Sequence, residues 1–225
     1  MIRRFRTAVI VAGLLVSAPA FAADLMADAV APPMADAPSR AYATFFLGAS
    51  LPNAEVTGYD NNVPVGITFD IGFDTGYIIG GTVGTTLLPS LRGEVEFSVI
   101  KSTVSEFYGT PVDLDSTGYN LLGNLWYDVD TGSAFTPYIG GGVGYGYDVV
   151  TGEGSEDMNT SGALYQLGLG VRYAATDKIG LDLGYRYRVQ PDAEVTGGGF
   201  VLDPEDSITS SATNHIVTAG VTVGF

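Results

Sequence analysis

The stretch TPYIGGGVGYGYDVV, Thr136 to Val150, contains five glycines within seven residues and still alternates like a β-strand. Successive side chains of a strand point to opposite faces. One face of this stretch carries Ile, Val and Tyr at odd positions, whereas the even positions from Gly140 to Gly146 are all glycine. Glycine weakens a strand because it adds backbone entropy and packs nothing. The pattern therefore predicts a strand with one apolar face and one nearly bare face.

The same alternation recurs in eight segments, and in each of them the odd-numbered residues form the apolar face. The segments are 41–51, 75–87, 91–101, 116–128, 135–149, 161–173, 179–190 and 212–225. They are joined alternately by brief turns at 88–90, 130–133 and 175–178 and by longer polar loops at 52–74, 102–115, 150–160 and 191–211. Outer-membrane barrels have short periplasmic turns and longer external loops. The sequence therefore predicts an all-β fold, an eight-stranded antiparallel up-and-down transmembrane β-barrel.

Aromatic residues distinguish this barrel from a soluble β-sandwich, whose strands also alternate. On the apolar face they collect near the outer strand ends (Tyr77, Tyr119, Tyr145, Tyr147, Tyr165, Tyr185 and Tyr187) and near the inner ends (Tyr127, Phe135, Tyr173 and Phe225). Two such belts separated by Val, Leu and Ile match the aromatic girdles at the two interfaces of a membrane barrel. We therefore expect odd-numbered side chains to face lipid and even-numbered side chains to face the lumen.

The N-terminus has the features of an export signal. A basic start, MIRRFR, precedes an apolar run of twelve residues and an Ala20-Phe21-Ala22 cleavage site. We assign residues 1–22 to a signal peptide, residues 23–40 to a flexible periplasmic segment rich in Ala, Pro and Asp, and residues 41–225 to the barrel. The apolar run is shorter than a spanning helix needs, so we expect no transmembrane helix.

The composition excludes several classes of function. Removing residues 1–22 takes away three arginines and no acid, which leaves 7 basic and 25 acidic residues. Such an acidic chain is a poor partner for nucleic acid. The absence of cysteine excludes disulfides and thiolate metal sites. We expect neither a cofactor nor a bound metal centre.

Two runs carry a family resemblance: YNLLGNLWYDVDTGSAFTPYIGGGVGYGY, from Tyr119, and YQLGLGVRYAATDKIGLDLGYRYR, from Tyr165. They resemble the small outer-membrane β-barrel family that includes the opacity proteins and the OmpA transmembrane domain. The last segment, NHIVTAGVTVGF, is similar to the C-terminal signal that the barrel assembly machinery recognises, with Phe225 as its final residue. The resemblance implies an eight-stranded barrel in the cell outer membrane with periplasmic termini. Because the chain stops at its last strand, we expect no peptidoglycan-binding domain like that of full-length OmpA.

Charged residues on the even-numbered face are candidates for a functional lumen, since eight strands enclose space only for side chains or one small ligand. The predicted lumen charge network is Arg92, Glu94, Glu96, Asp128, Asp148, Arg172, Asp182, Arg186 and Arg188. One interpretation is a buried ion-pair network that plugs the barrel. The alternative is a narrow, gated path for ions or small solutes. In both, we expect the glycine face to leave volume for arginine side chains or water.

The predicted outer loops carry many acids, and no Lys or Arg offsets them. The acids are Glu55, Asp60, Asp70, Asp74, Glu106, Asp113, Asp115, Glu153, Glu156, Asp157, Asp192, Glu194, Asp203, Glu205 and Asp206. They favour solvation and repulsion between molecules. A second hypothesis is that divalent cations bridge them to each other or to lipopolysaccharide phosphates.

A catalytic role has little support from the sequence. His215 is the only histidine, and its odd number places it on the lipid-facing side near the outer rim. A lipid hydrolase using Ser207, Ser210 or Ser211 is a remote alternative, because no catalytic serine motif is present. We therefore predict a non-enzymatic, structural and surface-interacting protein of the outer membrane. Its expected partners are outer-membrane lipid, lipopolysaccharide and the barrel assembly machinery.

Overall fold

The computed structural model describes residues 41–60, 63–107, 109–152, 157–197 and 207–225. The predicted signal peptide, residues 1–22, and the predicted segment 23–40 lie outside these residues. Among the described residues, no helix has the length and apolar character needed to cross a membrane.

Nine antiparallel strands make up the described fold. They are β1 (Ala41–Asp60), β2 (Val63–Phe73), β3 (Gly76–Leu88), β4 (Leu91–Phe107), β5 (Thr110–Asp128), β6 (Phe135–Thr151), β7 (Met158–Ala174), β8 (Ile179–Gly197) and β9 (Ser207–Gly224). From β3 to β9 each strand pairs with the next along the chain, which is an up-and-down order.

The sheet closes on itself because β1 pairs with both β3 and β9. Strand β2 occupies the same position in the ring as β3: it pairs with residues 54–60 of β1, whereas β3 pairs with residues 41–50. Together β2 and β3 act as one strand of the ring, and that strand is interrupted at Asp74 and Thr75. The ring therefore has eight strand positions, and the predicted fold class is confirmed.

The alternation of side chains follows the predicted parity through the middle of the ring. On β7, for example, Leu167 is 68% exposed on the outer face, whereas the neighbouring Gln166 is 2% exposed and points into the lumen. The outer face is covered by exposed Leu, Val, Ile, Phe and Tyr side chains, which is the surface that lipid requires.

The predicted long loops are wrong over much of their length, because the strands continue through them. Strand β1 continues to Asp60, β4 continues to Phe107 and β8 continues to Gly197. Strand β5 already begins at Thr110. The inward positions of these extensions are apolar, as at Ala54 and Val56, so the strands gain a second core by continuing. The ring therefore extends past the aromatic positions as a sheet.

Irregularities reverse the parity in some of these extensions. On β2, before the break at Asp74 and Thr75, Ile71 points inward although its number is odd. On β8 the register shifts between Gln190 and Ala193, and Asp192 between them has a φ of 46°. A bulge adds one residue and so moves the following side chains to the opposite face.

The predicted aromatic residues all lie on the outer face, where Tyr187 is half-buried and the others are exposed. Tyr119 faces Tyr147 across β5 and β6. At the other end, the Phe135 and Tyr173 rings lie 4.9 Å apart between centroids. We take the membrane-spanning part of β6 to end at Tyr147. The end with the short turns and Phe225 is called the turn end, and the opposite end the loop end.

A charged plug and an apolar cavity in the lumen

Arg92 organises the part of the lumen nearest the turn end. Its Nε donates to Asp128 at 2.6 Å, and its Nη1 donates to the Tyr42 hydroxyl at 2.9 Å. That hydroxyl in turn donates to Glu94 at 3.0 Å. The indole of Trp126 donates a second hydrogen bond to Glu94, at 2.7 Å. Each charge is therefore met by an opposite charge or a hydrogen bond, which burial requires.

Glu96 is the centre of a second group and is fully buried. Its carboxylate accepts from Arg186 at 2.8 Å and forms a close ion pair with Arg188. Arg188 also donates to the Gln166 side chain at 2.7 Å and to Ser98 at 3.1 Å. Two arginines thus share one carboxylate, and neutral side chains accept two further hydrogen bonds from Arg188.

Neutral side chains connect the groups. The Asn124 amide donates to Glu96 at 3.1 Å and lies 3.4 Å from Glu94. Asp182 accepts from the Tyr138 hydroxyl at 2.8 Å and lies 3.8 Å from Arg172. The Tyr138 ring lies under the Arg92 guanidinium, at 5.3 Å. Together these groups fill the lumen at the membrane level, and we call them the plug.

The plug is electrically balanced. It contains four arginines, Arg92, Arg172, Arg186 and Arg188, and four acids, Glu94, Glu96, Asp128 and Asp182. These are eight of the nine residues that the sequence assigned to the lumen charge network. The acidity of the chain therefore resides outside the plug.

The glycine face of β6 is filled by side chains of its neighbour β5. A Cβ added at Gly140 would lie 2.8 Å from Trp126, and one at Gly144 would lie 2.8 Å from Leu122. Trp126 also lies over Gly168 of β7. The expectation that arginines or water fill this space is wrong, because a tryptophan and its β5 neighbours need the room that the absent side chains leave.

Asp148 is the ninth predicted network residue, and its assignment is corrected by the structure. It points into the lumen but forms no ion pair and no hydrogen bond with any described residue. Its carboxyl lies against its cross-strand partner Gly118, where a side chain would collide with it. Asp148 lies beyond Tyr147, outside the membrane-spanning part of β6, and burial raises the pKa of its carboxyl to about 7.

Asp148 borders a cavity of about 330 Å³ at the loop end of the barrel. Apolar side chains from seven strands form most of its wall: Ala54, Ile71, Phe73, Ile100, Val104, Phe107, Val112, Leu114, Val150, Met158, Leu164 and Ala212. Asn120, Arg188, Gln190 and Asn214 also contribute to its lining. Arg188 belongs to the plug, so the plug closes the cavity on the membrane side. The volume lies within the range of about 300–1,000 Å³ typical of small-molecule sites.

The sequence did not predict this cavity, because most of its wall residues lie in segments predicted to be loops. A signal was available: Ile100, Ser102 and Val104, and likewise Val112, Leu114 and Ser116, keep the two-residue period past the predicted strand ends. The interior of an outer-membrane barrel is usually polar. These inward apolar residues therefore distinguish the loop end of the lumen from the rest.

Other predicted residues lie on the outer surface. His215 points outward, with its Nδ1 2.7 Å from the Tyr185 hydroxyl and its ring centroid 5.0 Å from that of Tyr187. Exposed acids of the predicted loops lie at the loop end: Glu55, Asp70, Asp74, Glu106, Asp113, Asp115, Asp157, Asp192 and Glu194. Glu153, Glu156, Asp203, Glu205 and Asp206 lie outside the described residues. Within the described part of the chain, no three His, Cys, Asp or Glu residues are grouped to hold a metal.

Known proteins with a similar sequence or fold are outer-membrane barrels. Outer membrane protein PagN of Salmonella typhimurium strain LT2 is 26% identical over 152 residues, which cover 60% of this chain and 62% of PagN. Neisserial surface protein A is 22% identical with a TM-score of 0.52, covering 80% of this chain and 97% of that structure. OprG of Pseudomonas aeruginosa is 14% identical with a TM-score of 0.50, covering 84% and 98%.

The chain thus spans less than two thirds of the length of PagN, and the two structures establish likeness of fold alone. The family model for the outer membrane protein beta-barrel domain matches residues 8–225, which is nearly the whole chain. The protein therefore belongs to the outer membrane protein beta-barrel domain family and resides in the cell outer membrane.

Proposed function

We propose that this barrel is a non-conducting membrane platform that contacts its surroundings through an acidic outer rim. The observation that carries the proposal is the plug: four arginines and four acids form ion pairs inside the lumen at the membrane level. A space lined by Arg92, Arg172 and Arg186 measures about 10 Å³, close to the least that holds one water molecule. A hydrated ion needs far more room.

The rim is the exposed acidic set at the loop end. The plug contains four of the seven basic residues of the mature chain. Only Arg40, Lys101 and Lys178 therefore remain to offset the acids outside the plug. Glu55 lies directly opposite Asp70 on paired strands, an arrangement that costs free energy unless a cation screens it. Divalent cations bind oxygen ligands and would bridge the rim to lipopolysaccharide phosphates. Lipopolysaccharide is accordingly the proposed partner.

The turn end offers the proposed contact with the assembly machinery. Phe225 directly follows the closing strand β9 and is exposed on the outer face, while its backbone N–H donates to the Ala41 carbonyl at 3.0 Å. An exposed aromatic ring on an ordered strand end is available to a protein that inserts the barrel. Deleting Phe225 should lower insertion in cells while leaving spontaneous folding into detergent unchanged.

Conductance in a planar lipid bilayer tests the platform against the alternative of a narrow pore. We expect the folded wild-type barrel to give no stable unitary current, under conditions in which a larger porin conducts. Stable unitary currents from the wild-type barrel would contradict the proposal and favour the pore.

The rim is tested separately with vesicles that contain lipopolysaccharide. We expect the barrel in nanodiscs to bind them in calcium and to lose most binding in a chelator. The double variant Glu55→Gln and Asp70→Asn should bind several-fold more weakly, whereas Asp177→Asn, an exposed acid at the turn end, should not. Equal loss in both variants, or binding indifferent to calcium, would contradict a role for the rim.

A further inference from the structure

The cavity at the loop end is a second feature of the lumen, and the platform proposal does not use it. Its wall is built from inward side chains of strand extensions beyond the membrane, with Ile71, Val104, Leu114 and Val150 among its apolar residues. Ala54, Val56, Ile71 and Val104 form a buried core beside it. Since an apolar space of this size favours apolar ligands, the wall selects a lipophilic molecule.

Asp148 gives the cavity a specific polar group. Every other member of the predicted lumen charge network is engaged in an ion pair, whereas the Asp148 carboxyl has no partner among the described residues. Gly118 opposite it leaves the space in which the carboxyl lies. The one cation that lines the cavity, Arg188, is already paired with Glu96. A partly buried carboxyl without a partner carries a cost that a bound donor would remove.

We propose that this cavity binds a small lipophilic amine, with its alkyl or aryl body against the apolar wall and its ammonium group on Asp148. An ammonium group supplies both the charge and the hydrogen-bond donors that the carboxyl lacks. The acidic surface of the barrel also raises the local concentration of cations. A lipophilic anion would be repelled by the Asp148 carboxylate. Arg188 could not offset that repulsion, because it is already paired with Glu96.

Met158 makes the binding measurable, since it lines the cavity and is the only methionine of the barrel, residues 41–225. The protein, labelled with ¹³C at methionine methyl groups and held in lipid nanodiscs, is titrated with octylamine, octanol and octanoate. We expect octylamine to shift the Met158 resonance saturably, octanol to bind more weakly and octanoate to bind least. Met26 and Met34, in the segment before the barrel, serve as internal references.

Two charge-matched variants identify the recognising acid. Asp148→Asn should weaken octylamine binding roughly tenfold or more, the loss expected for a charge-assisted hydrogen bond. Asp113→Asn, which removes an exposed acid from the rim, should change the affinity by less than about twofold. Val150→Trp should abolish binding by filling the cavity while preserving Asp148 and the total charge.

Three results would overturn the inference. One is a Met158 resonance that none of the three probes shifts. Another is octanoate binding as tightly as octylamine. The third is equal weakening by Asp148→Asn and Asp113→Asn, which would assign the effect to the general negative charge. None of these results depends on whether the barrel conducts or on whether its rim binds lipopolysaccharide.

Discussion

The plug and the cavity are two sections of the same lumen, formed by the same strands and yet opposite in character. Strand β4 contributes Glu94 and Glu96 to the plug and, a few residues further on, Val104 to the cavity. The inward direction is set by the two-residue period in both sections. What differs is the identity of the inward side chains. Strand geometry therefore decides which residues are enclosed, and residue chemistry decides whether the enclosed space is filled or left open.

The two sections also differ in how they treat charge. In the plug each ion pair replaces the water that burial removes, and the charges balance. In the cavity Asp148 is the one acid of the lining and has no ion-pair partner among the described residues. Removing a charge should therefore lower the stability of the barrel in the plug and raise it in the cavity.

The largest effect should come from Glu96→Gln in the plug. This change leaves Arg186 and Arg188 buried without their shared anion, which should lower the free energy of unfolding by about 3–5 kcal/mol. The measurement is reversible urea unfolding in lipid vesicles, followed by the fluorescence of the single tryptophan, Trp126. Glu106→Gln on the outer face of the same strand is the control and should change stability by less than about 0.5 kcal/mol. Equal effects of the two changes would remove the plug from the account.

A smaller loss should follow from Gly140→Ala. The added methyl group would meet Trp126 and the β5 backbone, and overpacking of this kind costs about 1–3 kcal/mol. At Gly123, on the outer face of β5, an added Cβ meets no atom within 4 Å, so Gly123→Ala is the matched control. We expect a shifted Trp126 emission maximum only in the first variant. Unchanged emission and stability in Gly140→Ala would mean that the glycine face does not hold the tryptophan.

The smallest effect, and one of opposite sign, should come from Asp148→Asn in the cavity. Burial raises the pKa of this carboxyl from 3.8 to about 7, so folding favours its protonated form. The wild-type protein should therefore lose stability as pH rises from about 4 to about 7, and the asparagine variant should not show this loss. Since the carboxyl borders a cavity rather than packed protein, we expect the variant to be more stable at pH 8 by on the order of 1 kcal/mol.

Unfolding curves at pH 4.5 and pH 8 check this prediction. Arg188 is the other charged group that lines the cavity, and its charge does not change in this pH range. A difference between variant and wild type that is the same at both pH values would contradict the assigned burial of Asp148.

The sequence predicted the fold well because a membrane barrel imposes a strict pattern. Lipid on one side and an enclosed lumen on the other leave each strand position only one compatible chemistry, so parity alone placed Leu167 outside and Gln166 inside. The same constraint placed all eight paired charges of the plug on the lumen face. The stagger between strands determines which acid lies beside which arginine, so the individual ion pairs could not be predicted from the sequence.

The sequence was less informative beyond the membrane. There water borders the outer face, so acids such as Glu55 alternate with inward apolar residues such as Val56, a pattern that a polar loop shares. The break at Asp74 and the bulge at Asp192 reverse the parity and obscure the continuity further. Parity predicts that Asp148 faces the lumen, but it does not predict the position of Asp148 along the barrel axis, which separates it from the plug.

The central claim is that one lumen contains a sealed plug and an accessible cavity, and a pair of serines tests it most directly. Ser98 lies in the plug and is fully buried, whereas Ser116 lines the cavity. The chain has no native cysteine, so Ser98→Cys and Ser116→Cys each introduce a single thiol. With a small neutral thiol reagent applied to the folded barrel in lipid, the account predicts rapid labelling at 116 and protection at 98 until unfolding. Equal rates at both positions would contradict it.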